Sequence, residues 1–236
     1  MEKRFLRTAR LIGEEKLNRL NKSTVAVFGI GGVGSYALEA LVRSGVGTVY
    51  IYDNDTVAES NINRQLIALN SSVGEYKTSV AKKRCLDINP DVKIFDNCVF
   101  VTPNTEIPFE RFDFVIDAVD NVTAKLHIIS ECKRFGTPVI SVMGTGNKLE
   151  PLKLTVSDIS ETHGCPLARV MRRELKKRNI TELKTVWSPE KPLEPINFGE
   201  FRDTGRTSPG SMSPVPGTAG LIAAAEVIKK ITEYNS

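Results

Sequence analysis

The sequence predicts an α/β fold: a mostly parallel sheet with helices on both faces. Three observations predict it. Short β-branched runs alternate with stretches of helical spacing between residues 24 and 143, the first run enters a glycine-rich turn, and 41% of the 236 residues are apolar, enough for one core. Strands that alternate with helices pair through crossovers, which are right-handed and lay the helices over the sheet.

The elements follow in order. "STVAVFGI" is a strand that runs into glycines, and "SYALEALVRSG" behind it is a helix ended by Gly45. "GTVYIYD" is a second strand, and 77–89 reads as a helix stopped by Pro90. "DVKIFDNCV", "FDFVIDAV" and "TPVISVM" supply three more strands, with the helix "VTAKLHIISECKRFG" between the last two. After Pro151 the rhythm changes to a strand in "LKLTVSD", a helix near 166–178 and a strand in "ELKTVWS". Across 188–217 prolines, glycines and serines accumulate without apolar periodicity, which predicts a mobile loop before a last helix over 218–232. One domain is expected, with 1–150 as a nucleotide-binding core and 151–236 as a C-terminal substrate or dimer region.

The net charge of +4 permits a nucleic-acid partner without requiring one. Cys85, Cys98, Cys132 and Cys165 include no CxxC pair, so neither a tetrathiolate zinc site nor a disulfide framework is expected, and a reducing cytoplasm fits. The N-terminal twenty residues lack an apolar signal core, and the apolar tail "AGLIAAAEVIKKI" is interrupted by Glu226 and two lysines. Neither end reads as a membrane span.

Gly29, Gly31 and Gly34 form GxGxxG between a strand and a helix, the setting of a Rossmann-like phosphate turn. The helix dipole there is worth about 0.3–2 kcal/mol, so it orients an anion and supplies no catalysis. Asp53, at the end of the second strand, stands where a carboxylate accepts ribose hydroxyls. Up to this point a nicotinamide dinucleotide fits as well as ATP. "NINRQL", Lys77 and "DAVDN" favour ATP, because a triphosphate needs extra cations and brings Mg²⁺, which takes one or two carboxylates. Each residue also has a plainer reading. Arg64 and Lys77 could be surface charges, Asp120 and Asn121 a helix cap, and Asp117 an acid that orients a loop.

As a set, "GIGGVG", "DND" (with Asp53 and Asp55), "NINRQ", Lys77 and "DAVDN" resemble the ThiF/MoeB/HesA adenylating family, relatives of ubiquitin-activating enzymes, over about 4–143. The resemblance implies that Gly31 and Gly32 line ATP and that Asp53 holds ribose. It also implies that Asn61, Arg64 and Lys77 bind phosphates, that Gln65 supports their loop, and that Asp120 engages Mg²⁺. It further implies a homodimer in which Arg10 reaches the partner's nucleotide. "RFLRTARLIGEEKL", "DINPDVKI" and "CPLARVMRRELKKRNI" look like the branch that dehydrates threonylcarbamoyladenosine in tRNA. That likeness implies an ATP-dependent adenylating ligase or cyclase whose partners are tRNA, a second copy and a sulfur-relay protein, with no membrane and no DNA. The alternatives are adenylation of a ubiquitin-like sulfur carrier and NAD-dependent oxidoreduction.

Three further features lie outside the nucleotide core. Arg169, Arg172, Arg173 and Lys176 recur at i, i+3, i+4 and i+7, a basic stripe opposite Leu167, Met171 and Leu175 that is read as a tRNA contact. Cys165, before Pro166, is a candidate relay thiol, although ring closure needs no thioester and a structural role is preferred. His163 is read as a surface residue.

Overall fold

The computed structural model describes residues 2–194, 196 and 209–234. Among them seven strands form one sheet: β1 (Thr24–Phe28), β2 (Thr48–Tyr52), β3 (Lys93–Asn97), β4 (Phe114–Asp117), β5 (Val139–Val142), β6 (Thr155–Asp158) and β7 (Lys184–Trp187). The order is β3-β2-β1-β4-β5-β7-β6. All neighbours are parallel except β6, which pairs antiparallel with β7 at the edge. Chain order reverses at β1, and beyond the carboxyl ends of the strands at such a reversal is where open α/β sheets take ligands.

The helices are α1 (Leu6–Ile12), α2 (Glu14–Lys22), α3 (Gly34–Ser44), α4 (Lys77–Ile88), α5 (Val122–Phe135), α6 (Pro166–Lys176) and α7 (Pro214–Ile231). Successive side chains of a strand point to opposite faces, and β1 divides its residues accordingly. Val25 and Val27 pack with Leu38, Leu41, Ala81, Ala223 and Val227 of α3, α4 and α7. Ala26 and Phe28 pack with Ile128, Ile129, Met171 and Leu175 of α5 and α6. Cover on both faces explains why the strand is apolar throughout.

The last helix begins at Pro214, four residues before the expected start, and this corrects the loop boundary. Proline costs little in a first turn, where the N–H has no helical acceptor, so Pro214 and Pro216 do not break it. Gly217 and Gly220 belong to packing: a Cβ on Gly220 would lie 2.2 Å from Val33 O, and one on Gly217 3.2 Å from the Tyr36 ring. Composition that looked like a loop instead lets α7 cross α3 closely. Residues 188–194 and 209–213 carry no helix or strand, while 195 and 197–208 of the expected loop lie outside the described residues.

Helices α1 and α2, joined at Gly13 with φ +86°, were not expected from the sequence. Among the described residues no helix is long and apolar enough to cross a membrane. All four cysteines are free.

Candidate nucleotide site

The glycine turn connects β1 to α3, and its four glycines do different work. Gly29 has φ +84°, and a Cβ there would meet Ala118 O at 2.9 Å. At Gly34 a Cβ would fall 1.7 Å from Gly29 O, so these two glycines serve the turn and the strand–helix approach. Gly31 is open: nothing comes nearer to its Cβ position than Gln65 Nε2 at 3.9 Å. Gly32 is flanked by Pro216 Cβ at 3.3 Å and Arg64 Cγ at 3.4 Å. The uncovered backbone at Gly31, ahead of the positive end of α3, leaves room for a phosphate.

Asp53 fastens the turn after β2 to this turn. Its Oδ2 accepts the Ile30 N–H at 2.7 Å and its Oδ1 accepts the Asp55 N–H at 2.9 Å. Burial pushes the Asp53 carboxyl above the usual carboxylate range, while the Lys77 charge and the two N–H groups pull it back. Lys77 is 5% exposed, not a solvated surface charge. Its Nζ donates to Asp55 Oδ2 at 2.6 Å and lies 3.9 Å from Asp53 Oδ1. A cation in the first turn of α4 opposes the helix dipole, and the two aspartates compensate it.

The "NINRQ" segment folds back on α3. Leu66 donates its N–H to Ser35 Oγ at 3.1 Å, and Ser35 Oγ donates to Gly31 O at 2.6 Å. Asn61 Oδ1 accepts the Ala58 N–H at 3.1 Å. Arg64, half-buried, donates from Nη1 to Ser60 O at 2.9 Å and to Asn63 Oδ1 at 3.0 Å. Gln65 is 6% exposed, and its Oε1 has no hydrogen-bond partner among the described residues. Its Nε2 stands 3.9 Å from the Cβ position at Gly31.

Asp120 is exposed in the loop between β4 and α5. Asn121 caps α5, its Oδ1 accepting the Ala124 N–H at 3.0 Å. Asp117 is fully buried against Lys125, with Nζ to Oδ2 at 2.9 Å. Lys125 and Ser141, its other partner at 2.6 Å, are residues that sequence reasoning missed. An acid inside an apolar strand was the available signal, since a buried charge requires a partner. No group of three or more His, Cys, Asp or Glu side chains that could hold a metal ion occurs among the described residues.

The remaining candidates lie on other elements. Arg10 is exposed on α1, whose preceding residue Phe5 packs, with Leu17, near Gly45 at the far end of α3. That end is about 16 Å from the glycine turn for the 11 residues of α3. On α6, Arg169, Arg173 and Lys176 are exposed. Arg172 leaves the stripe: half-buried, it donates to Thr162 O at 2.7 Å and to the Thr162 hydroxyl. Cys165 is buried ahead of α6, its Sγ 3.6 Å from a Cβ position at Gly144. The exposed His163 ring stands edge-on to Trp187 at 4.7 Å.

Comparison with known proteins bears on this site. The model of the ThiF family matches residues 4–236. The tRNA threonylcarbamoyladenosine dehydratase of Bacillus subtilis is 40% identical over 235 residues, covering 95% of this chain and 92% of that protein. The crystal structure of the Escherichia coli tRNA N6-threonylcarbamoyladenosine dehydratase TcdA in complex with ATP superposes with a TM-score of 0.87 at 32% identity, covering 98% of this chain and 94% of that one. Its complex with AMP superposes equally well, at 33% identity.

Proposed function

The chain belongs to the ThiF family, and we propose that it is a tRNA threonylcarbamoyladenosine dehydratase, using ATP to cyclise the modified adenosine next to the anticodon. The carrying observation is the 40% identity to the Bacillus subtilis dehydratase, which extends over 95% of this chain and so includes α6 as well as the nucleotide core.

A carboxylate is a poor electrophile because its charge repels the attacking group. ATP supplies the activation: the threonyl carboxylate displaces pyrophosphate to give an acyl-adenylate, and the substrate's own carbamoyl group then displaces AMP and closes the ring. The second step is intramolecular, so no protein nucleophile is required and Cys165 has a structural role. What the chain must provide is position and charge.

Gly31 and Gly32 line the nucleotide, with Gly29 and Gly34 holding the turn in shape. Asp53 accepts the ribose hydroxyls. Asn61, Arg64 and Lys77 face the phosphates, and Asp55 holds Lys77 until they arrive. The Gln65 amide meets the ligand at Gly31, and Asn121 keeps the loop at the start of α5. Asp120 would be the protein carboxylate that holds a Mg²⁺ ion brought with ATP, and that ion would neutralise phosphate charge. Arg10 acts on the nucleotide of a second copy in a homodimer, a reading supported by the attachment of α1 at the distant end of its own α3. Arg169, Arg173 and Lys176 contact the tRNA backbone. A cytoplasmic setting suits four free cysteines.

The test is Asp120→Ala. AMP formation should be lost while the folded state is retained; a well-folded variant that still releases AMP removes Asp120 from this role.

A further inference from the structure

Lys125 lies in the first turn of α5 and is wholly buried. Its Nζ has three partners: Asp117 Oδ2 at 2.9 Å, Ser141 Oγ at 3.2 Å and Val142 O at 2.8 Å. An ammonium has three hydrogens, so its capacity is filled. Ser141 Oγ donates to the same Asp117 oxygen at 2.6 Å, and Asp117 Oδ1 accepts the Val119 N–H at 3.3 Å.

Stability alone does not account for this arrangement. A cation at a helix start opposes the dipole, and a buried ion pair can often be replaced by apolar residues without loss. Its partners do account for it: they are the carboxyl ends of β4 and β5, and Asp117 in turn accepts the Val119 N–H of the loop over 118–121. That loop lies on the glycine turn. The Ala118 N–H donates to Phe28 O at 2.9 Å. Ala118 O and Val119 N stand 2.9 and 3.1 Å from a Cβ position at Gly29. Asp120 follows directly.

We propose that Lys125 is a positioning residue for adenylation: through Asp117 it fixes the loop that carries Asp120 against the glycine turn. This rests on the function proposed above. The cation touches no substrate and acts only through the place it gives Asp120.

Lys125→Met alone strands the Asp117 charge in the core and should lower Tm, so the decisive variant combines Lys125→Met with Asp117→Asn and removes both charges together. With ATP and threonylcarbamoylated tRNA, kcat should fall about 10²-fold, the scale of a small misplacement at a reacting centre, while KM for ATP changes less than about threefold. Amide exchange over 118–120 should quicken while β1 and β2 keep their protection. A folded double variant with kcat within about threefold of the parent overturns the proposal. Asp117→Asn alone, which removes the ion pair and keeps an amide of the same size, serves if the double variant does not fold: a fall in kcat at constant KM supports the proposal, and an unchanged kcat overturns it. If the parent enzyme releases no AMP with this tRNA, the proposed function fails on its own. Exchange over 118–120 then judges Lys125, and unchanged protection in the variants refutes its role.

Discussion

Lys77 Nζ lies 2.6 Å from Asp55 Oδ2 and 3.9 Å from Asp53 Oδ1, so one buried cation is held between two acids. Those acids stabilise it, and on the proposed function a triphosphate offers it more negative charge than Asp55 does. On that reading the lysine is aimed in advance, and charge placed in advance costs no reorganisation during reaction. Lys77→Ala should lower the rate of AMP release by about 10²–10³-fold, the scale seen when one donor to a developing charge is removed. Single-turnover measurement at saturating ATP checks this, and a loss confined to KM would place Lys77 in ground-state binding instead.

Gln65 is buried, with its Nε2 3.9 Å from the Cβ position at Gly31. On the proposed function Gln65→Met, which removes the amide and keeps an unbranched side chain of similar size, should lower ATP affinity about tenfold with little change in melting temperature. Calorimetry reads both quantities, and tighter ATP binding by the variant would exclude the amide from the site.

Asp53 sets a pH dependence. Burial raises its folded pKa, so protonation is favoured in the folded protein and its contribution to stability is present at low pH and lost as pH rises through that value. On the proposed function ribose recognition runs the other way, because it needs the carboxylate. ATP affinity should start to fall on acidification above the ordinary aspartate range of about 3.9, and Asp53→Asn should remove that step. Titration calorimetry from neutral to mildly acid pH decides the matter; equal affinity throughout would mean that Asp53 does not titrate against the ligand.

Charge on α6 should act through salt. Reversing Arg169, Arg173 and Lys176 should weaken tRNA binding and flatten its dependence on salt by up to about one unit of slope per lost phosphate contact. Arg172 should behave differently, since its guanidinium is held by Thr162 and its loss should lower stability more than it changes that slope. Filter binding across a salt series separates the two. Unchanged binding by the triple variant at every salt concentration would exclude α6 from the interface.

Most of the sheet was legible because its inner strands, such as β1 and β4, are largely apolar and buried on both faces and end at glycine or a polar turn. The glycine turn, Asp53 and Lys77 were legible as a pattern of spacing. Their burial was not, because it depends on the meeting of β1, β2 and α4. Lys125 was hidden in "VTAKLHIIS", where a lysine at that spacing reads as solvent-facing; only the position of Asp117 inside an apolar strand hinted that it had a buried partner. The start of α7 was obscured by Pro214, Pro216 and Gly217, residues that mark loops when a chain is read locally and that here permit close helix crossing. Arg172 shares the helical phase of an exposed stripe yet turns back to Thr162, a contact between residues ten apart that periodicity does not carry.

The most direct measurement is AMP release from ATP and Mg²⁺ by the purified protein in three parallel reactions: with threonylcarbamoylated tRNA, with a ubiquitin-like sulfur carrier, and with neither. AMP should accumulate only with the tRNA, in step with loss of one water from the modified nucleoside by mass spectrometry. AMP produced with the sulfur carrier and not with the tRNA would contradict the account.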